Sequence, residues 1–251
     1  MDLHLRGEIS RRSFLTCLGA SFIATQTAYA NRDSGKEVYL TIDDGPSPNM
    51  KKILDELEKH PDNYVTFFMV GENFKDEKNF GLAREAIEKG HSIGNHTYSH
   101  KRASKVSYEK FVNEIKACGE IIDDLYSNTR MENPRLFRFP YGDKGGKKNK
   151  TAIKEYLETN GFSEFFWDGD TLDWKYYSGN RSLEKVLNEI RKVQDGEIVL
   201  THDMYRKGLL STPVEAIKVL SEMGFVSKVL DGYRQRRGKV RIEGPEYVLG
   251  E

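Results

Sequence analysis

From Glu37 onwards, short apolar segments typical of β-strands alternate with amphipathic segments typical of helices. The clearest strand is Tyr64 to Val70 (YVTFFMV), a near-continuous apolar run of the kind that is buried on both faces. About seven such strands follow one another without an internal repeat, a low-complexity tract or a long linker. This alternation predicts a parallel α/β fold. The pattern alone leaves a closed or nearly closed barrel and an open doubly wound sheet as alternatives.

The first thirty residues differ in character from the rest of the chain. Paired arginines in the run Ser10 to Leu15 (SRRSFL) precede a modestly apolar stretch that extends to Ile23. The small residues of Ala28-Tyr29-Ala30 then suit a cleavage site. This layout predicts a cleavable export signal over residues 1–30, and the arginine run resembles a twin-arginine signal. We therefore expect an exported protein, periplasmic or secreted, whose residues 31–251 form a single domain.

Charge and length exclude several classes of partner. The apolar stretch near the start is too short to span about 30 Å of hydrocarbon, so we expect no stable membrane anchor. The chain has 39 basic and 39 acidic side chains, a balance that predicts no nucleic-acid partner. Cleavage after Ala30 would leave Cys118 as the single thiol, in a helical pattern that indicates a core residue. We expect a monomer.

Two neighbouring carboxylates, Asp43 and Asp44, stand at the end of the first predicted strand, within the segment TIDDGP. Adjacent residues of a regular strand point to opposite faces, so these two side chains can share a site only where the strand ends. Gly45-Pro46 provides such a break. In parallel α/β folds, functional sites form at the carboxyl ends of the strands.

Three of the six histidines lie within the ten residues from His91 to His100. His96 and His100 are four positions apart, so a helical turn or a tight loop would bring both imidazoles to one side. Two imidazoles and one carboxylate make a three-ligand metal site with positions left open for water and substrate. His91, at the start of a predicted strand, is interpreted as structural.

Three further polar clusters follow later strands. They are Arg138-Phe139-Pro140-Tyr141, Asp170-Thr171-Leu172-Asp173-Trp174 and Leu200-Thr201-His202. Most of the intervals between clusters have the length of one strand-helix unit. We therefore expect all five clusters at the same end of the sheet.

This ordered set resembles the polysaccharide deacetylases of carbohydrate esterase family 4, whose pattern is T-F-D-D-G-P, H-(S/T)-x-x-H, R-x-P-Y, D-x-x-D-W and L-x-H. The corresponding segments here are TIDDGP, HTYSH, RFPY, DTLDW and LTH, and Ile42 in place of Phe is the one departure. The resemblance implies a distorted (β/α)7 barrel, similar to a TIM barrel. It also implies one divalent metal ion, zinc in the first place with cobalt or nickel as alternatives.

The resemblance further implies roles for individual residues. Asp43 resembles the general base, Arg138 the residue that pairs with that base, and the Tyr141 N–H an oxyanion donor. His202 resembles the general acid, oriented by an aspartate of the fourth motif, for which we favour Asp173 over Asp170. The implied metal ligands are Asp44, His96 and His100. The implied substrate-contacting residues are Pro46, Trp174 and Leu200.

The implied reaction is the hydrolysis of N-acetyl groups from amino sugars in a polysaccharide, with release of acetate. The predicted export makes peptidoglycan N-acetylglucosamine the first candidate, with chitin-type oligosaccharides or an exopolysaccharide as alternatives. A hydrolase of small cyclic or linear amides is a related hypothesis. A non-catalytic sugar-binding barrel is disfavoured, because base, acid and all three ligands are present together.

Overall fold

Parallel strands and helices alternate along the chain, as the sequence predicts. The computed structural model describes residues 35–127 and 129–232, so the predicted export signal over residues 1–30 lies outside the described residues, as does the end of the chain. The strands are β1 (Lys36–Gly45), β2 (Thr66–Met69), β3 (Ser92–Asn95), β4 (Leu136–Phe137), β5 (Ser163–Glu164), β6 (Gly169–Asp170), β7 (Ile198–His202) and β8 (Phe225–Ser227). The α-helices of the described residues are α1 (Met50–Glu58), α2 (Glu77–Glu88), α3 (Tyr108–Ser127), α4 (Lys147–Thr159), α5 (Asp173–Tyr177), α6 (Leu183–Ile190) and α7 (Thr212–Glu222). None of these helices has the length and apolar character needed to cross a membrane.

Seven strands form one curled sheet in the order β5-β4-β3-β2-β1-β7-β6, and β8 pairs with the start of β1. Every pair is parallel. The edge strands β5 and β6 follow each other in the chain, which curls the sheet into a half-barrel covered by helices. The prediction of a distorted (β/α)7 barrel is confirmed.

The aromatic segment after Glu164 does not form one regular strand: two short strands, β5 and β6, flank residues 165–168. The carbonyl oxygens of Phe165 and Phe166 accept hydrogen bonds from the Arg138 side chain, at 3.2 and 2.9 Å. Because two consecutive carbonyls bind a side chain instead of a neighbouring strand, this segment does not continue the regular ladder.

Alternate residues of β1 face two different parts of the core. Val38, Leu40 and Ile42 pack in a cluster that includes residues of α1, α2 and α7. Tyr39 belongs to a second cluster, inside the barrel, with Phe68 and Leu200 among its members. Since Thr41 and Asp43 continue the face of Tyr39, β1 carries the Asp43 side chain into the barrel at its carboxyl end.

The structure confirms the interpretation of Cys118 as a core residue. It is a free cysteine, fully buried, and its Sγ contacts the Met69 carbonyl at 3.4 Å. Burial raises the pKa of the thiol to about 12. The thiol therefore stays protonated and unreactive at neutral pH.

Candidate active site

Asp43 and Asp44 reach the same side of the barrel through a backbone irregularity at Asp44. β1 includes Gly45, whereas the sequence predicts that the strand ends before this residue. The pairing of β1 with β2 shifts register between Asp43 and Gly45. Asp44 has a left-handed φ of 69°. A bulge of this kind re-aims a side chain, which explains how neighbouring carboxylates can share one site.

The three predicted metal ligands converge. Asp44 Oδ1 lies 3.2 Å from His100 Nε2 and 3.5 Å from His96 Nε2. One potential ligand atom from each of the three residues lies within 4.8 Å of the others. His96 follows β3 directly, and His100 lies in a tight loop with a φ of 53°. A helical turn does not bring the two imidazoles together; this loop does.

The chemistry of these side chains fits a divalent cation. His96 Nδ1 lies 2.8 Å from the Arg138 carbonyl oxygen, which requires a proton on Nδ1 and directs Nε2 towards Asp44. Burial, followed by the proximity of His96, lowers the pKa of His100 to about 4, so this imidazole is neutral at pH 7. Asp44 Oδ1 is buried without a hydrogen-bond partner among the described residues. One carboxylate and two imidazoles are ligands suited to zinc.

The ionisation of Asp44 agrees with this fit. Burial by itself would raise its pKa, but the neighbouring imidazoles of His96, His202 and His100 outweigh burial and hold the pKa well below its usual range. Asp44 is therefore a carboxylate at neutral pH, as a metal ligand must be.

Arg138 connects Asp43 to the interior of the barrel. Its side chain is fully buried, and Nη1 donates to Asp43 Oδ1 at 2.8 Å and to Thr41 Oγ1 at 2.7 Å. With the two carbonyls of residues 165 and 166, the guanidinium has four acceptors, and it also lies 4.2 Å from the centre of the Phe68 ring. Asp43, which is 2% exposed, thus has a fixed counter-charge. Its second oxygen, Oδ2, lies 3.6 Å from His96 Nε2.

His202, at the end of β7, is paired with Asp173 and not with Asp170. Its Nδ1 lies 2.6 Å from Asp173 Oδ1, and its backbone N–H donates to Asp173 Oδ2 at 2.8 Å. Asp173 is fully buried and also accepts a hydrogen bond from the Thr212 hydroxyl. Asp170 instead accepts the Leu172 N–H at 2.8 Å and so stabilises the turn before α5.

Burial would lower the pKa of His202, but the adjacent Asp173 carboxylate outweighs it, with smaller contributions from Asp44 and Asp43. Together they raise the pKa to about 10. The imidazole therefore carries a proton at neutral pH, which is the state that a general acid needs.

The remaining predicted residues lie around this centre. Tyr141 has a φ of 60°, and its ring centre lies 4.5 Å from that of His100. Among the described residues, none accepts a hydrogen bond from the Tyr141 N–H. Leu200 is buried two residues before His202, and Trp174, beside Asp173, is 44% exposed. Pro46 lines a cavity of about 500 Å³ together with Asp44.

The structure confirms the interpretation of His91 as a structural residue. Its Nδ1 accepts the Val65 N–H at 3.3 Å, and its ring packs near Tyr64 and Phe67. Burial, with a smaller contribution from Lys89, lowers its pKa to about 4. It is a neutral histidine of the core.

Two acidic residues that contact the site were missed by sequence reasoning. Asp203 is buried directly after His202, and burial raises its pKa to about 6. A signal for it existed, because it repeats the arrangement of a functional residue followed by a carboxylate at a strand end. Glu114, on α3, hydrogen-bonds Ser99 beside His100. It lies in an ordinary amphipathic helix and had no such signal.

The fold and the site together define a class of protein: a barrel-fold protein whose carboxylates and imidazoles surround a centre that could hold one metal ion. Comparisons with known proteins then identify the family. Residues 30–162 match the family model described as polysaccharide deacetylase. Over 204 residues the chain is 31% identical to a peptidoglycan-N-acetylglucosamine deacetylase from Bacillus cereus, and the alignment covers 78% of this chain and 70% of that protein.

Solved structures agree with this assignment. The structure of the peptidoglycan deacetylase PdaC from Bacillus subtilis matches with a TM-score of 0.66 and 26% identity, covering 80% of this chain and 91% of that one. The family 4 carbohydrate esterase from Streptomyces lividans in complex with acetate matches with a TM-score of 0.62 and 25% identity, covering 78% and 93%. The chain belongs to the polysaccharide deacetylase family and is a hydrolase of that family.

Proposed function

We propose that the protein removes N-acetyl groups from amino sugars of a cell-wall polysaccharide by metal-dependent hydrolysis, releasing acetate, with peptidoglycan as the substrate. The observation that carries this proposal is the convergence of one carboxylate and two imidazoles within 4.8 Å of one another, flanked by the Asp43–Arg138 and His202–Asp173 pairs. The names of the relatives, one from Bacillus cereus and one from Bacillus subtilis, support peptidoglycan.

Asp44, His96 and His100 would hold the metal ion, zinc in the first place with cobalt or nickel as alternatives. When bound, such an ion supplies a positive charge that polarises the acetyl carbonyl and makes water more acidic. The donor set described above fits this task, because it combines an ionised carboxylate with two imidazoles that offer lone pairs.

Asp43 would act as the general base for the attacking water. Its Oδ1 is occupied by Arg138 at 2.8 Å, so Oδ2 is the oxygen available to take the proton. The Tyr141 N–H would donate to the oxygen that becomes negatively charged when the acetyl carbonyl is attacked. Loss of one such donor costs about 10²–10³ in rate. Leu200 and Trp174 would line the acetyl pocket and the sugar groove, and Pro46 would contact the substrate.

His202 would protonate the leaving amine. Its Nδ1 faces Asp173, so Nε2 is the nitrogen that donates. The amine nitrogen is a poor leaving group until it is protonated, which makes this transfer necessary for C–N cleavage. Asp173 would keep the imidazole charged and in one orientation through its hydrogen bond to Nδ1, while its other oxygen accepts the His202 backbone N–H.

Asp173→Asn should shift the alkaline limb of the pH–activity profile towards neutral pH. His202 has its pKa raised to about 10 by Asp173, and it acts in its protonated form, so activity falls as the pH rises through this pKa. Loss of the carboxylate charge lowers the pKa, by about 1–3 units for a neighbouring opposite charge. The measurement is kcat between about pH 6 and pH 11. This range contains the His202 pKa of about 10 and the lower pKa expected for the variant.

Asp170→Asn is the matched control for this experiment, since Asp170 belongs to the same motif but contacts Leu172. Its alkaline limb should coincide with that of the unchanged protein. An Asp173→Asn profile that also coincides would contradict the assignment of His202 as an acid tuned by Asp173.

Mass spectrometry of incubated glycans tests the substrate. Peptidoglycan fragments treated with the zinc-loaded protein should lose the mass of one acetyl group per modified sugar, whereas the same fragments treated with a chelator-stripped sample should not. Deacetylation of chitin oligomers or of an exopolysaccharide alone would reassign the polymer. No loss of acetyl from any of these glycans would favour a non-catalytic sugar-binding barrel or a hydrolase of small amides.

Export follows from this substrate, because peptidoglycan lies outside the cytoplasmic membrane. We propose that residues 1–30 form the export signal, used by the twin-arginine route, and that residues 31–251 act as a single catalytic domain in monomeric form. The arginine run before the apolar stretch supports this route.

A further inference from the structure

The turn that carries Asp44 is held by the buried carboxylate of Asp203. Asp203 Oδ2 accepts the Ser47 N–H at 2.8 Å, and Oδ1 accepts the Ser47 hydroxyl at 2.6 Å. The Asp203 N–H donates to the Asp43 carbonyl at 2.7 Å. The carboxylate also fills the space beside Gly45, where an added Cβ would lie 3.0 Å from Oδ2. Asp203 therefore contacts the backbone on both sides of Asp44.

The turn that carries His100 is held in the same way by Glu114. Glu114 Oε2 accepts the Ser99 N–H at 2.6 Å, and both carboxylate oxygens lie 2.8 Å from the Ser99 hydroxyl. Ser99 directly precedes His100 in the chain. Lys101 contacts the outer side of the same carboxylate at 3.0 Å, and its side chain is about half exposed.

Both turns need such support. Asp44 and His100 have φ values of 69° and 53°, in the left-handed region. A non-glycine residue in this region is strained and persists only where its surroundings enforce it. In this backbone conformation the two side chains converge, with Asp44 Oδ1 3.2 Å from His100 Nε2.

We propose that Asp203 and Glu114 are positioning residues of the metal centre, which act through Ser47 and Ser99 to hold the turns of Asp44 and His100 in the metal-binding geometry. The inference rests on the proposed function, because it assumes that these ligands bind a cation. Neither acid is a ligand itself: each accepts both hydrogen bonds of one serine that lies close to a ligand in the chain.

The dissociation constant of zinc tests this proposal, measured by competition with a chromogenic chelator on the full chain. Asp203→Ala and Glu114→Ala should each raise the dissociation constant by about 10–100-fold, the usual effect of losing a group that orients a ligand. Asp203→Asn and Glu114→Gln should restore most of the affinity, since the amide oxygen still accepts the serine N–H. The absorption spectrum of the cobalt-loaded protein should change in the alanine variants, because the ligands then move.

Lys101→Ala is the matched control, since it removes the ion pair to Glu114 but keeps both bonds from Ser99. Its dissociation constant should equal that of the unchanged protein. If an alanine variant does not fold, Ser47→Ala and Ser99→Ala remove only the hydroxyl bonds and should raise the constant in the same direction.

Two results would overturn the inference, and they differ in what else they affect. In the first, the alanine variants of the two acids and of the two serines bind zinc as tightly as the unchanged protein and lose only thermal stability. Asp203 and Glu114 would then have a merely structural role. An unchanged protein that binds no divalent metal would instead overturn the proposed function itself, and this inference with it.

Discussion

Asp43→Asn should abolish deacetylation while leaving the metal in place. Asp43 is the proposed base, and an amide cannot accept the proton of the attacking water, so turnover should fall by about 10²–10⁴-fold. Asp43 is not one of the three converging ligands, and its Oδ1 accepts a hydrogen bond from Arg138 at 2.8 Å. The measurements are acetate release under metal saturation and the metal content of the purified variant.

Stability must be followed in the same experiment. The amide leaves Arg138 fully buried without a counter-charge, and breaking a buried pair costs about 3–5 kcal/mol. The amide oxygen can still accept the Arg138 N–H, which offsets part of this cost. The thermal unfolding curve of the variant is measured, and the assay is run at a temperature below its unfolding transition. A loss of activity at that temperature then reflects lost chemistry and not a lost fold. Activity close to that of the unchanged protein would show that another group is the base.

His96→Ala should remove both the metal and the activity. The variant loses one of the three proposed ligands, and it also loses the hydrogen bond from His96 Nδ1 to the Arg138 carbonyl. Since the loss of a mere ligand-orienting group costs about 10–100-fold in affinity, the loss of the ligand itself should exceed this range. Metal content after dialysis and acetate release with excess zinc are the two measurements.

His91→Ala provides the control, because His91 is buried in the same segment but contacts Val65, Tyr64 and Phe67 instead of the centre. This variant should lose thermal stability and keep its metal. A His96→Ala protein that retains a full complement of metal would show that the cation binds elsewhere. Equal metal loss in both variants would point to general unfolding.

Much of the fold could be predicted from local patterns. The apolar run from Tyr64 to Val70 gave a strand whose four core residues, Thr66 to Met69, are all buried, because a strand covered on both faces needs no polar side. The irregular segment after Glu164 could not be predicted. Its aromatic residues have high strand propensity, but their carbonyls bind Arg138, a residue about 27 positions earlier in the chain.

The resemblance of the ordered motifs to a known family implied the barrel, which the strand pattern alone left open, and their spacing predicted the grouping of Asp44, His96 and His100. This is possible because parallel strands joined by helices bring their carboxyl ends to one side, so the spacing along the chain determines which end of the sheet each residue occupies. Only the tertiary structure decided the finer geometry: the left-handed turn at Asp44, the hydrogen bond that pairs Asp173 with His202, and the contacts of Asp203 and Glu114 with the ligand turns. These depend on hydrogen bonds between residues far apart in sequence, and such contacts follow from how the elements pack rather than from any local periodicity.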